Sequence, residues 1–297
     1  MTIQARQSIA VIGVGIMGSA ISRRLLECGH TLTVFDLDPT KLEALAALGA
    51  RVAVTAAQAT AASDFVITSL NSAAIVHGAV FGAGGVAEAA DASKLLIDMS
   101  SIDPPTTRSC AQTLRAQCGM GWVDAPLSGG APKALLGQLT VMAGGSAQDV
   151  QGARAVMDSL CANYTHMGPC GAGQTTKLVN QLLCAISFQA VAEAVRLAEA
   201  GGVDAARLSA ALAGGRADSR ILQEFGPKMA ARDVTPTGRI DNMLKDLEAV
   251  QAFAQTQRLP LPLTGVVSEL HRSFVAAGIG GEDTVAMMRQ FSGYAPL

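Results

Sequence analysis

Charge is scarce in this chain. Only 15% of its 297 residues carry it, and 22 basic against 24 acidic side chains leave a formal net charge of -2. No stretch is rich in Lys and Arg, which argues against nucleic acid as the main partner and offers no patch for a membrane surface. Paired cysteines are missing as well. Cys28, Cys110, Cys118, Cys161, Cys170 and Cys184 contain no C-x-x-C spacing and no histidine cluster stands near them, so a zinc site is not expected. They read as reduced, packed thiols of a cytoplasmic protein. Met1 to Ser8 is short and polar, with no apolar leader segment, so no signal peptide is expected. Long apolar runs are absent too. Phe65 to Ala87 is free of charge but broken by Asn71, Ser72 and four glycines, and Leu178 to Ala192 has 15 residues, where a membrane helix needs about 20. Both are expected to be buried pieces of a soluble fold.

Apolar side chains are plentiful, at 49% of the sequence. That suffices for a large core, and with so little charge it points to surface hidden between subunits, hence a homodimer or homotetramer. The length suits two domains. In the first half, strands and helices alternate. Ile9–Ile12, Thr31–Phe35, Asp64–Leu70, Leu95–Met99, Trp122–Leu127, Leu139–Ala143 and Tyr164–Met167 read as strands. Helical spacing marks 19–28, the segment after Pro39, and 149–160. Such alternation predicts an α/β fold with a parallel sheet covered on both faces. Beyond residue 170 only helices are predicted, over 174–199, 205–213, 241–256 and 263–277. The expected boundary divides 1–168 from 169–297, with the long first helix of the second part joining them.

Gly13-Val14-Gly15-Ile16-Met17-Gly18 follows a strand and opens a helix. In that context G-x-G-x-x-G reads as a dinucleotide loop. The first glycine permits the turn, the second lets backbone approach a pyrophosphate, and the third lets helix and strand pack closely. Asp36 ends the second strand, 23 residues after Gly13, where a carboxylate can bind ribose hydroxyls and repel a 2′-phosphate. No Arg follows it, so NAD is favoured, with NADP possible. Asp38 reads as a helix cap before Pro39. Farther on, Ser128-Gly129-Gly130 can expose consecutive N–H groups to a carboxylate. Lys177, Asn180, Gln181 and Cys184 fall at i, i+3, i+4 and i+7 on one helix face. A partly buried lysine is suited to proton transfer, because desolvation lowers its pKa. His30, His77 and His166 are solitary and read as structural or loop residues. Trp122 reads as core, and the Arg216–Arg220 turn has no assigned role.

Together these motifs resemble the β-hydroxyacid dehydrogenase family, the family of 3-hydroxyisobutyrate dehydrogenase and tartronate semialdehyde reductase, from Ile9 to about Phe291. The resemblance implies an N-terminal Rossmann-type doubly wound sheet followed by an all-α C-terminal domain. It implies cofactor binding by Gly13, Gly15, Ile16, Met17, Gly18, Asp36, Leu70, Ser101 and Lys245, the last from Lys245-Asp246-Leu247. Substrate would be held by Ser128, Gly129, Gly130 and either Asn180 or Gln181, with Lys177 as general acid/base. The implied activity is reversible, NAD(P)-dependent oxidation of a small 3-hydroxy acid: 3-hydroxyisobutyrate, glycerate or tartronate semialdehyde, threonate, or a β-hydroxy amino acid. Many members carry Asn four residues after the lysine, where this chain has Gln181, so the choice of amide stays open. Imine reductases and non-catalytic nucleotide-binding proteins resemble the same fold but usually lack the lysine, so Lys177 favours alcohol oxidation.

Overall fold

The computed structural model describes residues 5–293. The start of the Met1–Ser8 segment, on which the leader reading rests, lies outside the described residues. The first compact unit, Met1–Lys177, is built on nine strands. These are β1 (Ser8–Ile12), β2 (Thr31–Phe35), β3 (Arg51–Val52), β4 (Phe65–Thr68), β5 (Leu95–Asp98), β6 (Gly121–Asp124), β7 (Leu127–Ser128), β8 (Leu139–Gly144) and β9 (Cys161–Gly168). They form one sheet in the order β3-β2-β1-β4-β5-β6-β8-β7, with β9 paired to β8. The ladders from β3 to β6 are parallel, whereas β8 runs antiparallel to both β6 and β7. In β1, Ile9 and Val11 enter one core and Ala10 and Ile12 the other. A strand buried on both faces reads as an unbroken apolar run, and that run was the sequence signal.

The helices of this unit are α1 (Ile16–Glu27), α2 (Thr40–Ala46), α3 (Ala56–Ala61), α4 (Ala73–Phe81), α5 (Pro104–Cys118), α6 (Gly130–Leu135) and α7 (Ala147–Met157). Several of these, together with the short strands β3 and β7, were not anticipated. The α4 segment is apolar apart from His77 and so has little periodicity to read. The α5 segment is polar, yet it carries start and stop signals: Asp103 accepts the Thr106 N–H at 2.8 Å, Pro104 opens the helix, and Gly119 closes it in the left-handed region at φ 78°. The strand expected over Trp122–Leu127 is two short strands. The chain leaves the sheet after Asp124, and Pro126 has no N–H to continue a ladder.

The second unit, Leu178–Leu297, contains most of α8 (Ala172–Ala200), then α9 (Leu208–Leu212), α10 (Arg220–Ala231), α11 (Ile240–Thr256), α12 (Pro262–Ala276) and two 3₁₀ segments, Ala205–Arg207 and Thr284–Phe291. No strand follows β9 among the described residues. Its core gathers Val191, Val195, Leu222, Met229, Ile240 and Phe274. The α10 segment escaped the sequence reading because Gly226 and Pro227 interrupt it. The division between the two units falls inside α8, after Lys177, and the first turns of α8 are tied to the sheet by hydrogen bonds. A correction concerns Leu178–Ala192. It is not a fully buried piece: α8 is long and apolar enough to cross a membrane by length and composition alone, and a third of its most apolar window is buried.

Candidate active site

In the first unit a cleft of about 800 Å³ opens beside the glycine loop, and Gly13, Gly15, Asp36 and Leu70 line it, whereas Ile16, Met17 and Gly18 do not. Gly13 sits at φ 88°, and a Cβ there would lie 2.5 Å from the Ser69 carbonyl oxygen. A Cβ on Gly18 would collide with the Gly13 carbonyl, so the first and third glycines serve close packing. Gly15 differs. Nothing lies within 4 Å of the position its Cβ would take, so it leaves an open cradle. It also caps α1 without a side-chain hydrogen bond, and the first turn holds no acid. The opening N–H groups and the positive end of the helix dipole therefore remain available to an anion. Asp36 accepts the Val14 N–H and the Asp38 N–H, each at 2.9 Å, with the Lys41 ammonium at 3.5 Å. Asp38 accepts the Thr40 N–H at 3.1 Å, beside the start of α2. Leu37 and Val54 line the same cleft while 88% and 78% exposed, an apolar rim on which a flat ring can lie. Cradle, uncapped helix, carboxylate and rim fit a dinucleotide.

A second cluster gathers where β5, β6 and β7 end. Lys177 is half-buried, and its Nζ donates to the Leu127 carbonyl at 2.9 Å. The next residues are Ser128, half-buried, and Gly129 and Gly130, exposed at φ 125° and 68°. The expected carboxylate loop and the lysine thus share one locality. Two buried carboxyls underlie it. Asp124 accepts the Gly171 N–H at 2.8 Å and the Gln174 N–H at 2.9 Å, fastening the start of α8 to the end of β6. Burial pushes its pKa up, and those two N–H groups pull it back. Asp98 accepts from the Thr68 hydroxyl at 2.8 Å and the Ser100 N–H at 3.0 Å, and burial pushes it up to about 6. Ser100 in turn accepts the Leu70 N–H at 3.0 Å. Gln174, 1% exposed, donates to the Ser100 carbonyl at 2.8 Å and accepts the Ile102 N–H at 3.3 Å. Ser101 is therefore held between two anchored neighbours, although it does not line the cleft.

Sequence reasoning gave no role to Asp98, Asp124 or Gln174. The available signal was an acid ending each of two apolar strands, where burial is costly without partners. Trp122 lies in the core, and His30 is buried against Ser159 at 2.9 Å. His77 packs on Phe81, and His166 bonds the Gly145 carbonyl at 3.0 Å. In the second unit, Asn180 and Gln181 are half-buried on α8 and Lys245 is exposed on α11. Asn180 Nδ2 donates to Gln181 Oε1 at 2.7 Å, and Gln181 Nε2 donates to Asp246 Oδ2.

Comparison with known proteins assigns this arrangement to a family. Residues 8–168 match the NAD binding domain of 6-phosphogluconate dehydrogenase, and residues 171–291 match the NAD-binding domain of NADP-dependent 3-hydroxyisobutyrate dehydrogenase. The chain is 35% identical over 281 residues to 2-hydroxy-3-oxopropionate reductase of Escherichia coli K12, covering 95% of this chain and 96% of that one. It is 32% identical to L-threonate dehydrogenase of Cupriavidus necator, covering 97% of both. Among solved structures, 3-hydroxyisobutyrate dehydrogenase of Mycobacterium tuberculosis with L-serine superposes with a TM-score of 0.88 at 29% identity, covering 97% of this chain and 99% of that one. Matched by these two family models over nearly its whole length and by relatives above 30% identity, the chain belongs to the β-hydroxyacid dehydrogenase family and is an NAD(P)-dependent hydroxyacid dehydrogenase.

Proposed function

We propose that the chain oxidises the 3-hydroxyl of a small 3-hydroxy acid reversibly, with Lys177 as the proton-transfer group. The observation that carries this is the Lys177 Nζ bond to the Leu127 carbonyl at 2.9 Å, which places the amine one residue from the Ser128-Gly129-Gly130 turn. Exposed N–H groups of that turn hold the substrate carboxylate. The amine takes the hydroxyl proton in oxidation and returns it in reduction. When bound, NAD(P) supplies the hydride acceptor or donor. Gly13, Gly15, Asp36 and Leu70 hold it, and the Asp36 carboxylate favours NAD over its 2′-phosphorylated form.

The substrate is one of 3-hydroxyisobutyrate, glycerate or tartronate semialdehyde, threonate, or a β-hydroxy amino acid such as serine. A panel of these acids, each offered with NAD and with NADP and followed by reduced-nicotinamide absorbance, ranks them. No turnover of any acid, with NAD still bound, would overturn the reading. Replacing Lys177 by Ala should lower turnover about 10²-fold or more while leaving cofactor binding intact. The cytoplasm suits six cysteines without paired spacing. A homodimer or homotetramer suits the exposed apolar side chains of α8 and α12.

A further inference from the structure

We infer that Asp246 is a positioning residue that acts through Gln181, and that Asn180 is the amide offered to the reacting groups. The inference rests on the lysine mechanism proposed above.

A carboxylate accepts hydrogen bonds and donates none. Facing Asp246, Gln181 must therefore turn its NH₂ toward the carboxylate, and it does so. This fixes an amide orientation that could otherwise be either of two. The opposite end, Oε1, is then an acceptor, and it takes the Asn180 NH₂ at 2.7 Å. The same Asn180 nitrogen lies 3.6 Å from Cys184 Sγ. Both ends of the Gln181 amide are thus engaged. Asn180 Oδ1 is the one amide atom of the pair without a hydrogen bond among the described residues. A carboxylate on α11 decides, through two amides, that α8 presents a carbonyl oxygen one turn beyond Lys177.

A carbonyl oxygen receives proton donors. It can hold an ammonium or orient an alcohol O–H, and both groups occur in the proposed reaction. An NH₂ there would instead favour the unprotonated amine or the carbonyl oxygen of the oxidised product, so the oxygen-out orientation favours the alcohol and the ammonium of the same reaction. Asp246 thereby sets the polarity of the site without touching substrate, and Gln181, four residues after the lysine, is a spacer.

The test is a set of variants assayed for kcat and for the KM of NAD. Asp246→Asn removes the acceptor-only constraint, and Gln181→Glu sets two carboxylates against each other. Each should lower kcat about tenfold, the scale of one hydrogen bond to a charged group, with the KM of NAD unchanged. The double variant D246N/Q181E restores the pattern, because Asn at 246 donates to Glu at 181, which also accepts from Asn180. It should return to within about threefold of wild type, a recovery that general damage to folding does not give. Asn180→Ala should cost at least as much as D246N, and D246N should cost nothing further in that background. No recovery in the double variant, or an undiminished D246N cost on top of N180A, overturns the inference. So would a rise in the KM of NAD with kcat intact, which would route Asp246 through Lys245. Wild-type turnover in K177A would instead strike the lysine mechanism, so the two failures are distinguishable.

Discussion

Asp98 is fully buried, and its Oδ2 has no hydrogen-bond partner among the described residues. Burial raises its carboxyl from 3.8 to about 6, against the pull of Ser100 and Thr68. The fold therefore favours the neutral acid. The stability this confers is complete below the unfolded value near 4 and is lost as pH rises through about 6. A change from 3.8 to about 6 corresponds to about 3 kcal/mol for this group. Asp98→Asn cannot ionise. Denaturant melts should show wild type losing stability relative to D98N between pH 4 and pH 8, and parallel curves would refute the account. Gly15 gives a second prediction at this scale. Its φ of -61° suits alanine and its Cβ site is empty, so Gly15→Ala should melt like wild type. Filling the cradle should nevertheless raise the KM of NAD about tenfold, equivalent to about 1.4 kcal/mol. Unchanged cofactor kinetics would remove the cleft as the pyrophosphate site. That Gly15 and Asp36 would line one cleft, and that Lys177 would lie beside the double-glycine turn, could be read from the sequence because such residue types stand at fixed offsets. Asp98, Asp124 and Gln174 could not. Their roles depend on which backbone N–H lies opposite, and a linear sequence does not state that.

The start of α8 carries the main argument at the scale of elements. Asp124 fastens it at both carboxylate oxygens, and Gly173 lets it approach. A Cβ on Gly173 would lie 2.6 Å from the Asp124 carbonyl oxygen and 2.8 Å from Asp124 Oδ2. Backbone cannot swing aside as a flexible side chain can, so Gly173→Ala must lift the helix. The expected cost is about 2 kcal/mol of stability, the scale of overpacking. Because Lys177 lies one turn farther on, kcat should fall as well while the KM of NAD holds. Gly201→Ala, with its nearest neighbour at 3.5 Å, is the control and should leave both unchanged. Thermal melts and saturating kinetics decide it, and a G173A enzyme with wild-type kcat would separate helix seating from lysine placement. Elements with one clear signal were legible: the unbroken apolar run of β1 and the helical periods of α1 and α11. Helix α4 has almost no polar residue, the stripe of Cys110, Leu114 and Cys118 in α5 is diluted by polar neighbours, and α10 carries Gly226 and Pro227. In each, tertiary packing overrides a weak local pattern.

At the scale of the whole molecule, scarce charge and exposed apolar surface converge on α8. Val179, Leu183 and Leu197 are 51%, 58% and 75% exposed, and with the exposed Ala190 they recur at spacings of four, seven and seven residues. Such spacing keeps side chains on one face of a helix, the pattern of a helix-packing seam. Helix α12 adds Leu263 and Val266, 58% and 59% exposed, three residues apart. Large apolar side chains exposed in a row mark interaction surfaces more often than a solvated face, and a closed homo-oligomer is the usual way to cover them. At micromolar concentration, sedimentation should therefore show a dimer or tetramer. Replacing Leu183 and Leu197 together by Glu should shift it toward monomer. Each charge sits on an exposed position and away from the core of its unit, so the far-ultraviolet spectrum should be unchanged. If wild type sedimented only as monomer, or if the double variant kept the native assembly, the α8 face would not be the contact and its apolar stripe would require another occupant.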